Sequence, residues 1–230
     1  MSTDQFGLAD GDYVPDPERD TAALIDGFFD HISTAVRKHA LPGGLVTMMR
    51  ARHAELEKAN EHMVVDEPAR YNLRITLALV AGYESLLPRL GRDAAIGIVR
   101  AALVEPLGDA VHAGTRAMLD AAPDPFKALV AVSKSREEYA FGKGFIFRRP
   151  ADDDQRYQVD VHRCFYHDVL VANSAPELTP AMCAFDRNWI EAIDPDKDGF
   201  QFERVTTIGL GGTHCPFHFT RTGAREADAG

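Results

Sequence analysis

The sequence predicts an α+β protein: a helical N-terminal half packed on a C-terminal antiparallel sheet with two helices. Three observations carry that expectation. Apolar residues recur at three- and four-residue spacing through most of residues 21–140, the period of helices with one buried face. Near Gly142 the texture changes to short aromatic and β-branched runs, which read as strands. Proline and glycine clusters punctuate the boundaries between segments.

Residues 1–20 are polar, with Gly7, Gly11, Pro15 and Pro17, and read as a flexible arm. Asp20-Thr21 is positioned to cap a helix running to Ala40, whose apolar face is Leu24, Ile25, Phe28, Phe29, Ile32 and Val36. Pro42-Gly43-Gly44 ends it, and a second helix is expected from Leu45 to about Met63. Tyr71–Leu87 is the next helix, broken by Pro88 and Gly91. Ala94–Ala121 continues the helical period, with a kink or split expected at Pro106-Leu107-Gly108. Beyond Pro123 and Pro125, a helix spans Phe126 to about Tyr139.

Strands are expected at 145–147 and 157–161, with Asp152-Asp153-Asp154 as a solvated hairpin tip between them. Helices follow at 163–172 and at Thr179–Ile193, where Pro180 suits a first turn. Two more strands are expected at 200–206 and 215–219. The expected organisation is one α+β domain over 21–220, helical over 21–140 and mixed over 141–220, with a disordered tail at 221–230.

Acidic residues number 35 against 25 basic ones, for a net charge of −10. Such a balance repels phosphate backbones and anionic lipid surfaces, so neither a nucleic-acid nor a membrane partner is expected. A small-molecule substrate remains compatible, because one local arginine outweighs the overall field. The longest apolar stretch, near Leu77–Ala81, is too short to span a bilayer. The start, Met1-Ser2-Thr3-Asp4-Gln5, lacks the basic-then-apolar pattern of a leader. With three cysteines, which cannot all pair, reduced thiols in a cytoplasm are the expectation.

All three cysteines fall in the last third of the chain. Cys164 follows His162 and Arg163, and nearby cations lower a thiol pKa and activate sulfur. Cys183 and Asp186 are three apart on the expected helix, so both side chains face one side. His214-Cys215 re-enters a strand, where neighbours point to opposite faces and only one of the two faces a given site. Against each stands a plainer reading, an inert core cysteine. No Cys-x-x-Cys clip is present, so no metal and no cofactor is expected. Asp194, Asp196, Asp198 and Gly199 imitate half of a calcium loop, but position twelve is Val205; the segment reads as a helix-to-strand turn.

Arg163-Cys164, Cys183-Ala184-Phe185-Asp186 and the run from Arg204 through Thr206-Thr207-Ile208-Gly209 to His214-Cys215-Pro216-Phe217-His218-Phe219 together resemble the L-2-amino-thiazoline-4-carboxylic acid hydrolase family. The resemblance spans about residues 70–220 and is specific in the last 60 or so. This chain departs from the family pattern at Leu210, Pro216 and His218, which puts the substrate in question more than the fold.

The resemblance implies an enzyme that opens a small C=N/C–S heterocycle by adding water at the carbon between nitrogen and sulfur, giving N-carbamoyl-L-cysteine. It implies a catalytic set of Cys164, Cys183, Cys215, Asp186 and His214, with Arg163, Arg204, His162 and Thr207 binding substrate. Within that set the nucleophile is Cys164 or Cys215, and Asp186 is base or orienter. The proton carrier is His214 or His162, and the carboxylate clamp Arg163 or Arg204. Water activated by Asp186, with the thiols only shaping the pocket, fits equally. The alternative class is a non-catalytic small-molecule binder or thiol sensor on the same fold.

Overall fold

The computed structural model describes residues 16–223. The expected arm over 1–15 and the tail over 224–230 lie outside the described residues. Five helices come first: α1 (Pro17–Lys38), α2 (Leu45–Ala59), α3 (Glu67–Leu90), α4 (Arg92–Ala121) and α5 (Pro125–Arg136). A π-helical turn, Glu137–Phe141, leads from α5 toward the hairpin β1 (Ile146–Asp152) and β2 (Arg156–Arg163). Then come α6 (Phe165–Ala172), α7 (Thr179–Cys183), α8 (Arg187–Ile190), α9 (Pro195–Asp198), β3 (Phe200–Glu203) and β4 (Cys215–Arg221). The α+β class holds, with one antiparallel sheet ordered β1-β2-β4-β3. No helix among the described residues is long and apolar enough to cross a membrane.

Several boundaries differ from the sequence expectation for identifiable reasons. Helix α1 starts at Pro17, not after Asp20, because Asp16 caps it by accepting from the Arg19 N–H and Pro17 suits the first turn. Helix α3 runs past Pro88, whose missing N–H falls in the last turn, and ends at Gly91 with φ +78°. Helix α4 is continuous through Pro106. There the proline packs toward Gly27 of α1, and Asn188 Nδ2 donates to the Val104 carbonyl at 3.1 Å. Helix α2 stops at Ala59 instead of Met63, with Asn60 Nδ2 donating to the Leu56 carbonyl and to Asn173.

The long helix expected over Thr179–Ile193 is broken into α7, a 3₁₀ turn at Ala184–Asp186, and α8. Arg204 explains the break: its Nη2 donates to the Cys183 carbonyl at 3.3 Å, the acceptor an uninterrupted helix would use for Arg187. The same arginine ends β3 at Glu203, earlier than expected, by turning inward to Asp186.

One face of the sheet is packed against the helices and the other is not. Tyr157, Val159 and Val161 of β2 stand opposite Phe219, Phe217 and Cys215 of β4, all toward the helices. A large core joins α1, α2, α3, α4 and α6 to this face, and a second cluster gathers Leu119, Phe126, Leu129, Tyr157, Phe200 and Phe219. Burial of this apolar area is the main stabilising term, at about 25 cal/mol per Å².

A buried ion pair pins the α9 turn to α4. Arg116 Nη2 meets Asp198 Oδ1 at 2.5 Å, Nη1 meets Oδ2 at 2.8 Å, and the Asp198 side chain is only 1% exposed. Asp198→Ala is expected to cost about 3 kcal/mol in urea unfolding, because it leaves a guanidinium short of its main partner. Arg116 also holds the Asp198 carboxyl below its ordinary value. That contribution is therefore complete above the unfolded pKa of about 3.9 and is lost as pH falls through the lower folded value. An Asp198→Ala protein whose urea midpoint is unchanged at pH 7 would refute this.

Candidate active site

A cavity of about 190 Å³ lies between the helix-facing side of the sheet and the helices. Its wall contains all three cysteines together with Asp186, Arg204 and Thr207. Aromatic side chains, among them Phe141, Phe145, Phe147, Tyr166, Trp189 and Phe217, make up much of the rest. The volume is below the roughly 300–1,000 Å³ of drug-sized sites, so the cavity suits one small molecule.

Each thiol arrives on a different element. Cys215 opens β4 and faces in because Val161, its partner across the ladder, faces in. Cys164 is the residue before α6, and Cys183 ends α7 where Arg204 breaks the helix. All three are free. Gly209 permits the loop before β4 to close: a Cβ there would meet Thr179 Cγ2 at 2.8 Å and the Pro180 nitrogen at 3.0 Å. That contact sets the loop so that the Ile208 N–H donates to Cys215 Sγ at 3.1 Å.

Burial keeps the thiols protonated. It pushes Cys164 up to about 12, although the backbone N–H groups of His167 and Tyr166 favour the thiolate. It pushes Cys183 up to about 11, with the Asp186 charge adding to the rise and the Thr207 hydroxyl opposing it. Cys215 is also raised by burial, against the Ile208 N–H and the Arg204 charge. Cys164 feels charge on both other sulfurs, which places the three in one electrostatic neighbourhood.

Asp186 is held on both sides. Its Oδ2 accepts from Arg204 Nη1 at 2.5 Å and its Oδ1 from Trp189 Nε1 at 3.1 Å. Arg204 also lies over the Phe217 ring, 5.1 Å from its centroid. Asn72, fully buried on α3, ties the π-helical turn to α6 by donating to the Ala140 carbonyl and accepting from the Tyr166 hydroxyl. Gly142 follows that turn at φ +67°, and a Cβ there would strike Asp66 Oδ2 at 2.5 Å.

Three expected site residues lie off the cavity. Arg163 is exposed and paired with Asp168 at 2.6 Å. His162 and His214 stack on one another, centroids 5.3 Å apart, on the opposite face of the sheet. Strand alternation is the cause: with Val161 and Cys215 pointing in, their neighbours point out. His218 joins them there through Asp160 Oδ1 at 2.9 Å. Among the described residues, no group of three or more His, Cys, Asp or Glu side chains is placed to hold a metal ion.

Two wall residues went unnoticed in the sequence, Arg136 and Glu137. Glu137 accepts from the Tyr157 hydroxyl and from Arg149, and burial raises its carboxyl pKa despite those partners. A π-helical turn, the signal that could have pointed there, is not readable from residue spacing.

The family model for L-2-amino-thiazoline-4-carboxylic acid hydrolase matches residues 71–219, well over half of the chain. The chain belongs to that family. Comparison with curated proteins and with solved structures finds no match. The three positions where it departs from the hydrolase family pattern avoid the cavity: Leu210 is 70% exposed, and Pro216 and His218 alternate outward from Cys215 and Phe217.

With thiol pKa values this high, alkylation by iodoacetamide is expected to climb about tenfold per pH unit between pH 8 and 10 at Cys164 and Cys183, with no plateau near 9. Peptide mapping by mass spectrometry reads this directly. A plateau below pH 9 at either residue would contradict the burial described here.

Proposed function

We propose that this protein hydrolyses a small thiazoline-type carboxylate through Cys215. The observation that supports this reading is the meeting of the three family cysteines on one small cavity beside the Asp186–Arg204 pair. Among the thiols, Cys215 alone combines a backbone N–H donor at 3.1 Å with a neighbouring guanidinium that favours its ionised form.

Neutral thiols suit an amidine-like substrate, because the ring nitrogen is itself a base. As Cys215 Sγ bonds to the carbon between nitrogen and sulfur, the thiol proton passes to that nitrogen. The C–S bond of the ring then breaks, its electron pair leaves on sulfur, and sulfur takes up the proton that nitrogen carried. An S-linked isothiourea remains on Cys215. Water adds to the same carbon, giving one proton to Asp186 and the other to the C=N nitrogen, so that a carbonyl is left as the carbon–Cys215 bond breaks with its pair returning to sulfur. Asp186 returns the proton to Cys215, and the product is the ring-opened N-carbamoyl thiol. Substrate plus one water equals product, and the protein ends as it began.

Asp186 serves here as base and as the group that orients Arg204, and Thr207 contacts substrate beside Cys183. His214 and His162 take no part, since both lie on the far side of the sheet. Thiol sensing needs an accessible, ionised sulfur, the reverse of what burial does to these three.

Turnover of L-2-amino-thiazoline-4-carboxylate is expected to fall by about 10³-fold or more in Cys215→Ala, the range for losing a covalent nucleophile. His214→Ala is expected to stay within about threefold of the starting protein, because it touches nothing in the cavity. Near-normal kcat in Cys215→Ala, with loss in Asp186→Asn, would overturn the covalent route in favour of direct water attack.

A further inference from the structure

The cavity has a cation that the protein itself leaves unanswered. Arg136, in the last turn of α5, contributes to the wall, and its Nε is buried with no hydrogen-bond partner. Among the described residues it makes no ion pair; its one recorded contact is the Phe141 ring, 6.0 Å from the guanidinium carbon.

The nearby acids are already engaged. Asp186 is taken by Arg204 and Trp189, and Glu137 by Arg149 and Tyr157. The other candidate clamps are engaged as well, Arg163 with Asp168 and Arg204 with Asp186. Arg136 nonetheless belongs with the reacting groups. Its charge reaches the buried Tyr166 hydroxyl, which also feels Cys164 and Asp186. Holding the buried Nε of this half-buried arginine without an acceptor is costly, and a ligand carboxylate removes that cost by accepting from Nε and one terminal nitrogen side by side.

We infer that Arg136 is the anchor for the substrate's carboxylate, and hence the residue that restricts this cavity to small anionic heterocycles. The inference rests on reading the cavity as the substrate site. It assigns recognition to a residue outside the cysteine-bearing segments, contributed by the helix that precedes the sheet.

Two probes test it, L-2-amino-thiazoline-4-carboxylate and 2-amino-thiazoline, which lacks the carboxylate. Their binding is measured by titration calorimetry on Cys215→Ala protein, so that turnover does not interfere. The carboxylate is expected to bind about 30-fold or more tightly than the analogue that lacks it, the range for a desolvated charge pair. Adding Arg136→Gln is expected to abolish that preference while leaving 2-amino-thiazoline binding within about threefold. Arg136→Lys, which keeps the charge but not the planar fork, is expected to retain part of it. A preference that survives Arg136→Gln, or is absent while Arg136 is in place, overturns the inference. Should Gln compromise folding, the Lys variant decides, because an undiminished preference there refutes the bidentate anchor. An Arg136-dependent preference in a protein whose unsubstituted form turns over no substrate would sink the hydrolase reading and leave this one standing.

Discussion

The Arg204–Asp186 ion pair organises the cavity. It breaks the helix expected across Thr179–Ile193, and so brings Cys183 to the cavity wall at the end of α7. It draws the chain out of β3 into the loop that carries Thr207 and Ile208, and that loop sets the N–H donor on Cys215. One interaction thus shapes the backbone and positions two thiols.

Desolvation sets the chemistry that this arrangement supports. Taking three sulfurs out of water raises all three thiol pKa values, and the local donors only soften the rise. A protease-like thiolate poised at neutral pH is therefore the wrong template. A basic C=N substrate changes the balance, since it accepts the proton at the moment the sulfur attacks. On the proposed route, reactivity then depends on which molecule occupies the cavity.

How much of this was legible in the sequence follows from the range of the interactions involved. Helix faces such as Leu24, Phe28 and Ile32 were readable because their period is local, and the change at Gly142 marked the sheet correctly. The convergence of Cys164, Cys183 and Cys215 came from the family pattern, since spacings of 19 and 32 residues carry no geometry of their own. Breaks imposed from afar were not readable: the helix interruption after Cys183 needs Arg204, twenty-one positions later. Strand alternation warned that His214 and Cys215 face apart, but not which would face in; pairing with Val161 decided that. Arg136 sits in a stretch of α5 that reads as an ordinary charged helix end, and only a buried Nε with no hydrogen-bond partner among the described residues sets it apart.

The most direct test of the central claim is to mix the protein with L-2-amino-thiazoline-4-carboxylate in single turnover, quench in acid within milliseconds to seconds, and weigh the intact chain. A covalent route through Cys215 predicts a transient species heavier by one whole substrate molecule. Its label should map to the peptide containing Cys215 and vanish in Cys215→Ala. Product formation with no adduct at any quench time, or an adduct mapped to Cys164 or Cys183, would contradict the account.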